Sequence, residues 1–161
     1  MRKSLLSFGI LFLLSCNNEA SREDETNDTL LTEETAFLTP EEKLPWIAEF
    51  DSVTGDFVLK HQKNIAADTL DPRNLINDIN AVWEDVKLVY KKVSHDTLYV
   101  AIPESEALTQ RMGSAGASGY IASVTYSLTE IPKIRWVHYN FEEGDHASPG
   151  TYGRADFKNY H

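Results

Sequence analysis

The apolar positions from residue 44 onward change period several times, and each change marks an expected element. "WIAEF" (46–50) and "DFVLKHQ" (56–62) are short apolar runs on either side of "DSVTG", whose Asp, Ser and Gly suit a turn, so a β-hairpin is expected. In "DPRNLINDINAVWEDV" (71–86) the residues Leu75, Ile76, Ile79, Val82, Trp83 and Val86 recur at helical spacing. Asp71 stands where an N-cap would and Pro72 at the first helical position, so the spacing predicts a helix over this stretch. "KLVYKKVSHDTLYVAIP" (87–103) carries β-branched and aromatic residues on both sides of Ser94-His95-Asp96, which reads as a second hairpin.

"GSAGASGYIASVTYSLTEIP" (113–132) combines two patterns. Ala117, Tyr120, Ile121, Val124, Leu128 and Ile131 form one apolar helical stripe, and Gly116, Gly119, Ser123 and Ser127 form a small-residue ridge beside it. A ridge without bulk lets a helix approach a sheet or a partner closely. That approach compensates for the loss of about 1 kcal/mol of helix propensity at each glycine. "KIRWVHYNF" (133–141) alternates as a strand, with Ile134, Trp136 and His138 on one face and Val137, Tyr139 and Phe141 on the other, and both faces are expected to be at least partly covered. The elements add up to a small single α+β domain, residues 44–161, in which a mixed β-sheet is packed by two main helices.

The N-terminal pattern is of a different kind. Arg2 and Lys3 precede an apolar run from Leu5 to Leu14, the layout of a secretory signal, and the run is shorter than the roughly 20 residues a membrane span needs. It ends in "LLSC", which resembles the lipobox of bacterial lipoproteins, and Cys16 is the only cysteine, so no intramolecular disulfide is available. Residues 1–15 are therefore read as a signal peptide and Cys16 as the site of lipidation. Acyl chains, at about 0.8 kcal/mol per buried CH₂, would hold the protein on a membrane without spanning it. Asn17 and Asn18 follow in place of the aspartate that retains such proteins at the inner membrane, so an outer-membrane address facing either the periplasm or the exterior is expected.

Residues 17–43 hold nine acidic and two basic side chains and few aromatics, the composition of a flexible, self-repelling tether. The whole chain carries a formal charge of −10. That balance disfavours nucleic acid and anionic lipid as partners.

Candidate chemistry is sparse. Ser94, His95 and Asp96 are successive and cannot converge as a hydrolytic triad. Gly113, Gly116 and Gly119 fit neither phosphate-binding glycine pattern. His138 has no second His or Cys at ligand spacing and is expected to be a hydrogen-bonded, half-buried histidine. The one polar cluster is "FEEGDHASPGTYGR" (141–154), an exit loop from the last strand with Glu142, Glu143, Asp145, His146 and Arg154 between turn signals, where Arg154 is expected to return toward a loop carboxylate. Adjacent Asp145 and His146 rarely chelate one ion together, so neither a metal nor another cofactor is assigned, and no residue is assigned as catalytic.

The order of elements, with "DTLYVAIPES" leading into a helix and then "YSLTEIPKIRWVHYNFEEG", resembles the GerMN domain of bacterial envelope lipoproteins. Ser127, Leu128, Thr129 and Glu130 match that family's helix end, Val137 and Phe141 its strand, and Gly144 the closing glycine. The similarity covers about residues 71–150. It departs from the family in lacking a leucine-glycine-proline phrase after the first helix, in having Ser94-His95-Asp96 at the hairpin turn, and in the extension over 145–161. The resemblance implies a small α/β sandwich without a catalytic site, acting through protein contacts in the envelope. The leading expectation is thus a lipid-anchored, non-catalytic interaction or assembly module. The alternatives are a glycan or small-ligand binder using Trp46, Trp136, Tyr139 or Tyr152, and a hydrolase or metal site centred on Asp145 and His146.

Replacing Cys16 with alanine should leave an unlipidated precursor. Metabolic labelling with a fatty-acid probe is expected to mark the wild-type chain alone, and a labelled Cys16→Ala protein would refute the anchor.

Overall fold

A computed structural model describes residue 39 and residues 41–62 and 65–160. The signal peptide, Cys16 and most of the acidic tether lie outside the described residues. The fold is a small mixed α/β domain containing a two-stranded and a four-stranded sheet, in agreement with the α+β expectation.

Strands β1 (Trp46–Asp51) and β2 (Asp56–His61) form the first expected hairpin as a sheet of their own, paired from Trp46↔His61 to Asp51↔Asp56. The turn closes with Asp51 Oδ1 accepting from Val53 N at 2.8 Å and with Gly55 at φ +77°, a left-handed conformation that glycine adopts without strain. Ahead of β1, residues 41–43 form one helical turn, with Thr39 N donating to the Glu42 carboxylate at 2.8 Å, and Leu44 is buried. The last residues of the segment read as tether thus take part in the described fold.

Helix α1 (Pro72–Val82) starts where the sequence places it, with the Asp71 side chain accepting from Arg73 N and Asn74 N. It ends one turn earlier than expected. The Asn80 side chain donates to Leu88 O and accepts from Leu88 N, at 2.9 and 2.7 Å. This paired bond pulls the returning chain against the helix, so Val86 is buried from a loop instead of from a final helical turn.

Strands β3 (Val89–Ser94) and β4 (Thr97–Ala101) form the second hairpin, with His95 at φ 55° in its turn. The chain then makes a π-helical turn (Ala107–Arg111), runs through helix α2 (Gly113–Leu128) and returns as β5 (Trp136–Asn140), parallel to β4. A parallel pair needs such a crossover. A short strand that the sequence reading did not distinguish, β6 (Gly150–Tyr152), pairs antiparallel with β5 and completes the sheet in the order β3-β4-β5-β6.

Helix α2 touches both sheets: β1 and β2 on one side, β5 on another. Every residue from Gly119 to Leu128 is buried, so the stripe expected from periodicity is only part of the covered surface. The small-residue ridge faces the hairpin from Gly119 to Ser127, while Gly116 lies against Met112. An added Cβ on Gly119 would stand 3.0 Å from Phe57 Cγ, while Ser123 Oγ and Ser127 Oγ donate to Trp46 O at 2.9 and 3.1 Å, and Trp46 N donates to Ser127 Oγ at 3.1 Å. Toward the four-stranded sheet, Thr125 and Tyr139 share a 2.9 Å hydroxyl bond in a site where burial pushes the Tyr139 phenol well above its ordinary pKa.

Gly119→Leu should destabilise the domain by about 1–3 kcal/mol through overpacking against Phe57, despite the gain in helix propensity. Urea denaturation measures this, and an unchanged or raised midpoint would show that the hairpin tolerates displacement.

Candidate functional site

The loop over residues 141–154 does not gather its polar residues into one site. Ser105 Oγ donates to Glu142 O at 3.0 Å, and Ser148 Oγ donates to the Glu143 carboxylate at 2.6 Å. Glu142 and Glu143, with Glu104, Glu106, Thr109 and Gln110, line an open cleft of about 510 Å³ beyond the carboxyl ends of β4 and β5. Open α/β sheets place ligands at that end. The cleft here is carboxylate-lined, and among the described residues no group of three or more His, Cys, Asp or Glu side chains is arranged to hold a metal ion.

Gly144 is where this loop must stay narrow. A Cβ there would lie 2.5 Å from Gln110 Nε2 and 2.6 Å from Thr109 Cβ, so the loop is pressed onto the π-helical turn. His146 N donates to Thr109 O at 3.0 Å, and its ring Nδ1 lies 3.1 Å from Ser114 Oγ in the first turn of α2. This hydroxyl–imidazole contact joins residues 32 apart and was not readable from the sequence. Ser114 is exposed, and among the described residues no carboxylate hydrogen-bonds the other nitrogen of His146. The pair therefore lacks the orienting acid that a nucleophile–base system uses. Asp145 is exposed beside it.

Arg154 belongs to a different cluster, and its expected pairing with a loop carboxylate is corrected. Its guanidinium donates to Glu130 Oε1 at 2.7 Å, to Thr129 Oγ1 at 2.8 Å and to Tyr126 O at 3.1 Å, all at the carboxyl end of α2. It also lies over the Tyr126 and Trp46 rings at 5.0 and 5.5 Å. Trp46 Nε1 donates to the same Glu130 oxygen at 2.8 Å, and His61 Nε2 stands 3.9 Å away. The physical reason is reach: β6 carries the chain away from Asp145 before Arg154 begins a short helical turn (Arg154–Phe157) anchored by buried Phe157. The cluster is a clasp tying the first hairpin, the end of α2 and the C-terminal segment together.

The aromatic residues proposed for ligand contact also separate. Tyr139 is fully buried, while Trp46 and Tyr152 are half-buried parts of the packing. Trp136 alone of the four is exposed, at 39%. It stands on the outer face of the four-stranded sheet, whose composition follows from the pairing. Lys92, Tyr99, His138 and Thr151 run across all four strands in one row, and Ser94, Thr97 and Trp136 form the next. The residues between them, Leu98, Val100, Val137 and Tyr139, point into the core and are 0–1% exposed.

Contacts within the face hold its side chains in place. The Lys92 ammonium lies 4.9 Å from the Tyr99 ring centre, Tyr99 and His138 rings are 5.1 Å apart, and His138 Nδ1 is 2.8 Å from Thr151 Oγ1. His138 is thus half-buried and hydrogen-bonded, as its sequence context implied. Trp136 rests on Gly153, where a Cβ would come within 2.7 Å of the indole. Both faces of β5 are thus at least partly covered, as expected: the inner one is fully packed, and on the outer one Ile134 is buried, His138 half-buried and Trp136 seated on Gly153. Tyr99, Lys92 and Thr151 were not singled out from the sequence; the alternation of polar Thr97 and Tyr99 with Leu98 and Val100 was the available signal.

Comparison with protein families, with curated proteins and with solved structures finds no match to this chain.

The clasp has a pH signature. Burial pushes the Glu130 carboxyl upward, but hydrogen bonds from Trp46 and Arg154, with the charges of Arg154 and His61, outweigh it and hold the pKa below the ordinary value of 4.5. A carboxyl with a lowered folded pKa contributes stability above its unfolded pKa and loses it as pH falls through the folded one. The wild-type protein should therefore lose stability below about pH 4.5 more steeply than Glu130→Gln does, with the two urea midpoints converging. Parallel acid profiles would show that Glu130 does not carry the clasp.

Proposed function

We propose that the chain is a lipid-anchored cell-envelope protein that acts without catalysis, as an interaction or assembly module, and that it contacts its partner through the outer face of the four-stranded sheet. The carrying observation is that face. A parallel strand pair is ordinarily covered on both sides, yet β4 and β5 leave Thr97, Tyr99 and His138 half-exposed and Trp136 exposed on their outer one. Fixed aromatic groups surrounded by hydrogen-bonding ones are the composition of a contact surface.

Three further features support the reading. The lipobox-like "LLSC" motif supplies an anchor and the acidic stretch after it a spacer, so the domain would search a membrane surface for a partner at high effective concentration. The resemblance to GerMN domains points the same way: Ser127 and Leu128 end α2, Thr129 follows as its cap, and Val137 and Phe141 are buried around β5. The alternative of a hydrolase on the 142–154 loop has the Ser114–His146 contact in its favour, but that pair lacks an orienting carboxylate.

Placing a photoreactive benzoylphenylalanine at Thr97 of the full chain, in the cells that make it, is expected to give a discrete protein adduct that disappears in Trp136→Ala. The same group at exposed Asp68 serves as control. No protein adduct from Thr97, or adducts equal to those of the control, would remove the outer face as the contact surface.

A further inference from the structure

We infer that the partner bound by this outer face is an acidic protein surface. The inference rests on the proposed interaction role and deepens it by naming the chemistry of the other side.

Charge along the chain is strongly segregated. Residues 89–101 and 133–140, which supply β3, β4 and β5, contain Lys91, Lys92, Lys133 and Arg135 against one carboxylate, Asp96. The chain as a whole is at −10, so these segments are locally cationic in an acidic protein: Lys91 and Lys92 lie in β3, Lys133 and Arg135 lead into β5, and Asp96 sits in the hairpin turn, where its carboxylate accepts from Thr97 Oγ1 at 3.5 Å. All four cations are exposed, and none is paired with a carboxylate among the described residues. Within the two outer rows there is no acid. Lys92 supplies charge, Ser94, Thr97, Tyr99 and Thr151 supply hydroxyls, and Trp136 supplies an apolar plate seated on Gly153.

Such a surface meets carboxylates with complementary potential and a central aromatic anchor with shape. Unpaired surface cations gain most from charges brought within a Debye length, about 8 Å at physiological salt. The same argument weighs against face-to-face pairing of two copies, because the two-fold would set Lys92 and its neighbours against their own images. It also weighs against an anionic membrane, since the acidic remainder of the protein would have to approach that surface as well.

Full-length lipidated protein in detergent micelles can be titrated with poly-L-glutamate, polygalacturonate and poly-L-lysine, at low and at physiological ionic strength. Poly-L-glutamate is expected to bind and to weaken by about tenfold or more as salt rises. Lys92→Glu combined with Arg135→Glu, both surface changes, should abolish that binding while the circular dichroism and the thermal midpoint stay unchanged. Trp136→Ala should weaken binding several-fold without altering the salt dependence. Equal or tighter binding of polygalacturonate would overturn the acidic-protein assignment in favour of an anionic glycan. Self-association abolished by the same charge reversals would overturn it in favour of a second copy. Absence of poly-L-glutamate binding, or binding indifferent to the charge reversal, would also overturn it. The Thr97 adduct would still stand as a separate measure of whether the face contacts protein at all.

Discussion

The carboxyl-terminal ten residues of helix α2 have to be dry on every side, and the arrangement of the other elements follows from that requirement. From Gly119 to Leu128 no residue is left to solvent, so this helix needs neighbours around its whole circumference. An ordinary surface helix needs only one apolar stripe. The four-stranded sheet covers one side, the hairpin β1–β2 another, and the Trp83 ring meets Tyr120 edge-on at 5.3 Å. Burying serines and threonines in such a place is costly unless each hydroxyl is bonded. Ser123 and Ser127 meet this need by bonding the backbone of Trp46, and Thr125 by bonding Tyr139. The first two bonds also satisfy polar groups at the start of β1, so a two-stranded sheet that is marginal alone is held at its base by the helix it covers.

The clasp at the end of α2 serves the same packing. Glu130 takes hydrogen bonds from Trp46 and Arg154, residues more than a hundred positions apart in the chain, and so closes the hairpin and the C-terminal segment over the helix. On the far edge of the hairpin, Leu59 N donates to Tyr160 O at 2.7 Å, so the C-terminal segment also occupies hydrogen-bonding positions of β2. With the helix and both flanks of the hairpin committed to this interior, the outer face of the four-stranded sheet is left half-exposed, as is the outer face of the hairpin around Glu49 and Lys60. The proposed interaction role rests on this separation of an inward, fully packed side of the sheet from an outward, polar and aromatic one.

The candidate loop illustrates how neighbourhood in sequence misleads. Glu142, Glu143, Asp145, His146 and Arg154 look like one cluster because turn residues surround them, yet β6 intervenes and, running antiparallel to β5, carries Arg154 to the other end of the sheet, beside Glu130. His146 instead meets Ser114, and the glycine at 144 holds the loop against Thr109 and Gln110. The three residues of β6 carry too short an alternation to register as a strand, and their pairing partner lies a full loop away in the chain.

Local periodicity determined both hairpins, the Asp71-capped start of α1, the presence of α2 and the inward face of β5, because each depends on a repeat or a cap contained within a few residues; the stripe expected to run to Ile131 stops with the helix at Leu128. It also determined that the small-residue ridge would be a close-packing surface, as it is from Gly119 to Ser127. What packs there is a long-range matter: the hairpin, more than sixty residues earlier in the chain, fills the ridge because Phe57 and the Trp46 backbone fit where side chains are missing. The early end of α1, the half-exposed face around Trp136 and the partner of Arg154 were likewise decided by tertiary structure. A side chain's preference for burial is encoded locally, but which surface buries it, and which surface is left over, emerges only when all the elements compete for the same interior.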